Sequence, residues 1–258
     1  MRTLLPYLLA GVLAAVLPLA NAKDRPTIVL VHGAFADGSS WDGVTSILRQ
    51  QGYPVVAVAN PLRSVQGDAR YLDDVLHTIT GSLVLVGHSY GGLVIGETTT
   101  SGHDVTGLVF VAAFAADAGE TAASLSAKDP GSTLGQALAP PVELADGAVD
   151  LYIRQDLFPE QFAADVAKDE ATLMAASQRP VTELALNDPA KRTSWKTTPS
   201  WFIYGDADKN IPASVLGFMA DRANSRKTVV VEGASHVVMV SHPRAVAELI
   251  IEAANAHR

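Results

Sequence analysis

The sequence predicts an α/β fold: a doubly wound, mostly parallel six-stranded sheet with a helical lid inserted between the fourth and fifth strands. Three observations predict it. Six short stretches rich in Val, Ile and Leu run without strict alternation, as strands covered on both faces do. Helical patterns separate most of them, which implies right-handed crossovers. One interval, from about 116 to 198, carries no strand pattern and exceeds any ordinary loop.

The strands are expected at 27–31, 53–59, 83–86, 108–112, 200–204 and 227–231. Between the first two, 40–51 reads as a helix stopped by Gly52. A second helix over 68–79 puts Leu72, Val75, Leu76 and Ile79 on one face. Helices over 212–223 and 243–254 each begin at a proline, where the missing N–H costs nothing. Within the long interval, 149–157 and 160–177 read as helices, and Pro130, Pro140, Pro141, Pro159 and Pro180 divide the rest. An insertion of this size is expected to form a lid over the carboxyl edge of the sheet.

The first 22 residues are a different material. Arg2 opens an uncharged apolar run from Leu4 to Leu17, which holds Pro6 and Gly11 and ends at Pro18; Ala20-Asn21-Ala22 then offers a small-x-small cleavage site. The run is short for a spanning helix, and the pattern is that of a signal peptide cut after Ala22. A single domain, 23–258, and a secreted or periplasmic location follow as expectations. Cleavage would leave 18 basic against 27 acidic side chains, a net charge of −9. That balance argues against nucleic acid and anionic membrane surfaces as partners and leaves a small molecule. The chain has no cysteine, which excludes disulfides, thiol chemistry and thiolate metal sites.

The chemistry centres on Gly87-His88-Ser89-Tyr90-Gly91. A buried strand ends there and an apolar run follows, the context of a nucleophile elbow. Such a turn strains the serine backbone and needs glycines on both sides. It also puts the N–H of Tyr90 at a helix N-terminus, where it can stabilise an oxyanion. The motif lacks the Gly-Lys-Ser/Thr ending of a phosphate loop. Among His32, His77, His88, His103, His236, His242 and His257, only His236 lies in a tight turn just past the last strand, which makes it the candidate base. Asp208, in Gly205-Asp206-Ala207-Asp208, is the candidate acid, with Asp206 assigned to the loop and Asp117 an alternative. Ser89, Asp208 and His236 each follow a different strand and come in the order Ser…Asp…His. The loop after the first strand, His32-Gly33-Ala34-Phe35, is expected to supply the second oxyanion donor from Ala34. His32 is expected to hold that loop, and Phe35 and Tyr90 to line an acyl pocket.

The stretches VLVHGAF, GHSYGG, YGDADKNIP and GASHVVMVSHP, in this order, resemble the α/β-hydrolase superfamily. Within it the chain is similar to the small cofactor-free branch of plant methylesterases, hydroxynitrile lyases and bacterial esterases. The resemblance implies the α/β-hydrolase fold, serine chemistry and no metal or organic cofactor. Typical lyases of the branch carry a threonine after the first-loop histidine and a lysine after the catalytic one. Here Gly33 and Val237 stand there, and both departures point to ester hydrolysis. A lactonase, amidase or perhydrolase with the same three residues, a C–C lyase, and a non-catalytic ligand receptor are the alternatives.

Overall fold

The computed structural model describes residues 25–98 and 102–256. The leader expected at 1–22, and His257, lie outside the described residues.

In chain order the first half runs β1 (Thr27–Val31), α1 (Asp42–Gln50), β2 (Val55–Val58), α2 (Val65–Leu76), β3 (Ser82–His88), α3 (Gly91–Glu97) and β4 (Asp104–Val111). The insertion holds α4 (Ala122–Ser126), α5 (Leu134–Ala137), β5 (Val142–Glu143), β6 (Val149–Leu151), α6 (Phe158–Phe162), α7 (Lys168–Ser177), β7 (Val181–Thr182) and α8 (Glu183–Asn187). The chain then returns through β8 (Ser200–Gly205), α9 (Ala213–Arg222), β9 (Lys227–Val231), α10 (Val238–Ser241) and α11 (Pro243–Asn255).

The six long strands form one sheet in the order β2-β1-β3-β4-β8-β9, parallel throughout. Every residue of β1 and β8 is buried. Strands sealed on both faces have no polar side to alternate with, which is why they read as apolar runs. Order 2-1-3 means that the chain leaves β1 in one direction, to β2, and then returns past it to β3. Right-handed crossovers therefore put α1 and α2 on opposite faces and open a crevice at the carboxyl ends of β1 and β3. α1 packs with α11, and α2 packs with α3. The register Val31↔Gly87 sets the loop after β1 beside the turn after β3.

The insertion corrects the sequence reading in two places. It is not purely helical, because β5, β6 and β7 form a three-stranded antiparallel sheet. Residues 149–157, read as a helix, begin as strand β6. Leu144 and Ala148 close a hairpin over Asp146 and Gly147, with Gly147 at φ +84°. Past the strand, the Gln178 side chain accepts from the Ile153 N–H and donates to its carbonyl, serving as a substitute strand neighbour. The predicted helix 160–177 is split, since α6 ends at Phe162 and α7 begins at Lys168. Among the described residues no helix is long and apolar enough to cross a membrane.

Candidate active site

Ser89 sits where β3 gives way to α3, at φ +52°. Holding a non-glycine residue in that region costs about 1–3 kcal/mol, so the surroundings must enforce it. They do so by close approach. A Cβ on Gly87 would lie 2.5 Å from the Gly91 carbonyl oxygen, and one on Gly91 would lie 2.4 Å from that of Val31. The turn is as tight as the sequence motif requires, and any side chain at either glycine would open it.

His236 lies in the turn after β9, and its ring is sealed from solvent. Its Nδ1–H donates to Oδ2 of Asp208 at 2.6 Å, and the Asp208 side chain has no exposed surface. The other carboxylate oxygen accepts the N–H groups of Asn210 at 2.7 Å and Ile211 at 3.0 Å. Asp208 is thus held from both sides, and its bond commits the imidazole to leaving Nε2 as the acceptor. Asp206 does different work: it accepts the Gly233 N–H at 2.6 Å in an exposed turn. Asp117 pairs with Lys196 at 2.6 Å on the surface. The structure brings Asp208, and neither of the others, to His236.

Ser89, His236, Ala34, Tyr90 and Phe35 line one cavity of about 50 Å³, together with Phe114, Leu134, Phe162, Leu186 and Ile211 among others. Ala122, Ala123, Leu134, Phe162 and Leu186 come from the insertion, which therefore covers the site as a lid. Among the described residues no backbone acceptor takes the N–H of Ala34 or of Tyr90, two buried donors beside the serine. Phe35 is held at φ +60°, and its N–H donates to the lid carbonyl of Arg179 at 3.1 Å. Its ring meets Phe162 edge-on at 6.2 Å.

His32 holds the first loop. Its Nδ1–H donates to the Gly33 carbonyl at 3.0 Å, and its Nε2 accepts the Asn60 N–H at 3.1 Å. Asn60 returns a bond from its side chain to the His32 carbonyl at 2.9 Å. Both ring nitrogens work only if the ring is neutral, and burial lowers its pKa from 6.5 to about 4. Unfolded chains take this proton near pH 6.5 and the folded protein only near 4, so the unfolded state binds more protons in between. Stability should therefore fall as pH drops through that window, by up to about 3 kcal/mol from this ring. Urea unfolding at pH 7.5 and 4.5 checks this. The pH-dependent loss should shrink in His32→Asn, and an equal loss in that variant would rule His32 out as its source.

One neighbour escaped the sequence reading, which passed over His88 in favour of His236. The structure packs its ring against His236 at 4.8 Å, and His88 Nε2–H donates to the His236 carbonyl at 3.1 Å. Burial, with the nearby His236 and His32, keeps His88 well below the ordinary histidine pKa, hence neutral. His77 and His103 meet edge-on at 4.7 Å, and His242 bonds Ser241. None of these three lines the cavity.

The two positions that depart from the lyase pattern acquire a physical reason. A Cβ on Gly33 would lie 2.6 Å from the Ser89 Cβ and 2.8 Å from the His88 carbonyl oxygen. Threonine there would displace the serine before its hydroxyl could serve any substrate. Val237 is fully buried in the core, where an unpaired lysine would be expensive.

A family model described as the alpha/beta hydrolase family matches residues 28–249. The chain belongs to the alpha/beta hydrolase family. Among curated alpha/beta hydrolases it is 27% identical to "Alpha/beta hydrolase nvfD" of Aspergillus novofumigatus, over 89% of this chain and 97% of that one. It is 26% identical to the pyrethroid hydrolase of Sphingobium wenxiniae, over 89% and 88%. Among solved structures, polyneuridine aldehyde esterase shares the fold with a TM-score of 0.75 at 19% identity, covering 88% of this chain and 98% of that one.

Proposed function

We propose that this alpha/beta hydrolase is a serine carboxylic-ester hydrolase working through an acyl-enzyme on Ser89. The observation that carries the reading is the 2.6 Å bond to Asp208 from His236, which lines the apolar cavity that also holds Ser89. His236 takes the Ser89 proton as the oxygen attacks the ester carbonyl, then returns it to the departing alcohol. Asp208 stabilises the imidazolium in between. The N–H groups of Ala34 and Tyr90 receive the oxyanion, and water activated by His236 clears the acyl group. The steps call for no metal or organic cofactor. A relative named as a pyrethroid hydrolase supports hydrolytic chemistry.

The test is a fluorophosphonate, which should add one covalent mass on the peptide holding Ser89, alongside turnover of p-nitrophenyl esters, a lactone, an amide and mandelonitrile. Ester turnover with labelling at Ser89 is expected. Faster cleavage of mandelonitrile than of any ester, or labelling elsewhere, would overturn the reading.

Room beside Ser89 suits a short acyl group. A larger cavity of about 290 Å³ lies beyond Phe35, lined by Asp37, Ser39, Asp42, Glu170 and Met174 among others, and Phe35 is the residue the two share. Wild-type protein is expected to prefer acetyl to octanoyl esters by about tenfold or more, since even single methylenes are worth that in a fitted pocket. Phe35→Ala should join the two spaces and move the optimum to longer chains. An unchanged chain-length profile would remove Phe35 from substrate selection.

We further propose that the chain acts after export and removal of residues 1–22. Intact-mass analysis of protein from its native host should then give Lys23 as the first residue, and a full-length product would refute it.

A further inference from the structure

Asp68 is a buried carboxylate that the mechanism above does not use. It lies in the first turn of α2 with 1% of its surface exposed. One oxygen accepts the Tyr90 hydroxyl at 2.8 Å. Tyr90 is fully buried, and it is the residue whose N–H the proposed mechanism assigns to the oxyanion. The Arg63 backbone N–H lies 3.2 and 3.1 Å from the two carboxylate oxygens. Burial holds the Asp68 carboxyl above its usual range, and the bonds from Tyr90 and Arg63 offset this only in part.

The same arginine reaches the lid. Its Nη1 pairs with Asp150 of β6 at 2.6 Å, and its Nη2 donates to the Pro180 carbonyl at 3.0 Å. The Thr182 hydroxyl of β7 donates to the Arg63 carbonyl at 2.6 Å, and the Thr182 N–H donates to that of Leu62 at 3.1 Å. Leu62 itself sits at φ +63°. Residues 62 and 63 are therefore clamped between two lid strands on one side and Asp68 on the other. A continuous path of hydrogen bonds joins Asp150 to the residue after the nucleophile.

Packing does not explain this path. A phenylalanine at 90 facing a neutral residue at 68 would fill the same space without desolvating a carboxylate, which often leaves a protein as stable or more so. The bond does what an apolar contact cannot: it fixes the phenol along one direction. The Tyr90 side chain and its peptide N–H share one Cα, so fixing the first restricts the second. An oxyanion donor off by a fraction of an ångström loses much of its value.

We propose that Asp68 is a positioning residue of the oxyanion hole, holding Tyr90 through its hydroxyl, and that Arg63 makes this hold depend on the closed lid. The proposal rests on the serine-hydrolase reading above.

The experiment compares Tyr90→Phe, Asp68→Asn, their double variant and Asp150→Asn on p-nitrophenyl acetate. Affinity is measured for an arylboronic acid, which adds to a serine and loads the oxyanion hole, and for a neutral ketone that only occupies the pocket. Tyr90→Phe and Asp68→Asn should each lower kcat about tenfold with KM within twofold. They should weaken the boronic acid by a similar factor and leave ketone binding unchanged. The double variant should be no worse than either single one, because one bond is lost in each. It should also melt no lower than wild type while its kcat stays low. Asp150→Asn should lower kcat about threefold at unchanged KM. Wild-type kcat and boronic acid affinity in Tyr90→Phe, or recovery of kcat with stability in the double variant, would overturn the role of Asp68. Unchanged kcat in Asp150→Asn would overturn the lid arm. Ester turnover undiminished in Ser89→Ala would instead overturn the reading on which the proposal rests.

Discussion

Ser89→Ala should lower ester turnover by about 10⁴- to 10⁶-fold while the protein stays folded. The size of the effect follows from what the position supplies. The strained turn lifts one hydroxyl into an apolar cavity, and no other hydroxyl, thiol or amine among the lining residues of that cavity can replace it except the Tyr90 phenol, which is bonded to Asp68. Alanine keeps the backbone, the oxyanion donors and the His236–Asp208 pair, so residual catalysis would be what orientation and the donors achieve with water alone. The variant should also relax the turn only slightly, because the positive φ persists while Gly87 and Gly91 remain. Steady-state rates with p-nitrophenyl acetate, together with circular dichroism for the fold, check this. A loss under tenfold would mean that the nucleophile lies elsewhere.

Asp208→Asn should cost about 10⁴-fold in kcat, and Asp206→Asn and Asp117→Asn no more than a few-fold. At 208 the carboxamide oxygen can still accept the N–H groups of Asn210 and Ile211, so the loop stands. The carboxamide then turns its NH₂ toward His236 Nδ1. That forces the other tautomer, with the proton on Nε2, and the base is lost at the atom that needs it. Asp206 accepts only the Gly233 N–H, which an asparagine oxygen also accepts. Asp117 belongs to an exposed ion pair, and such pairs contribute little. Should Asp206→Asn or Asp117→Asn prove the most damaging with the fold intact, Asp208 is not the acid.

The contrast between these aspartates also shows what sequence can carry. Asp208 was legible because it follows β8, whose every residue is buried and which therefore announces itself as an apolar run, whereas His236 follows β9, a half-exposed edge strand marked by its three consecutive valines. Ser89 was legible because the glycines around it have no other use so close together. The first and last strands in the chain, 27–31 and 227–231, were read with their observed bounds, while the strand expected at 83–86 runs on to His88 and carries the chain into the turn. The lid was harder. Its strands are two or three residues long, too short to show a period, and the Asp146-Gly147 hairpin signal was masked by the prolines before it. The Arg63–Asp150 and Asp68–Tyr90 contacts span 87 and 22 residues. Polar pairs at such separations leave no periodic trace. The partnership of His88 with His236, 148 residues apart, was invisible for the same reason.

The strand order imposes a sequence of assembly. β1 to β4 are contiguous in the chain and mutually paired, whereas β8 joins β4 only after the whole insertion has been made. A chain emerging from its N-terminus can therefore complete the four-stranded block, with the serine turn in it, before residue 200 exists, while contacts across the insertion carry the larger closure cost. Asp208 and His236 arrive with the last two strands. On the serine-hydrolase reading proposed above, the protein is thus chemically silent through most of its synthesis, and a truncated product that still folds its first half would carry a serine with no base to activate it. Competence and completion would then coincide, and any event that delays docking of β8 and β9 would delay activity by the same interval.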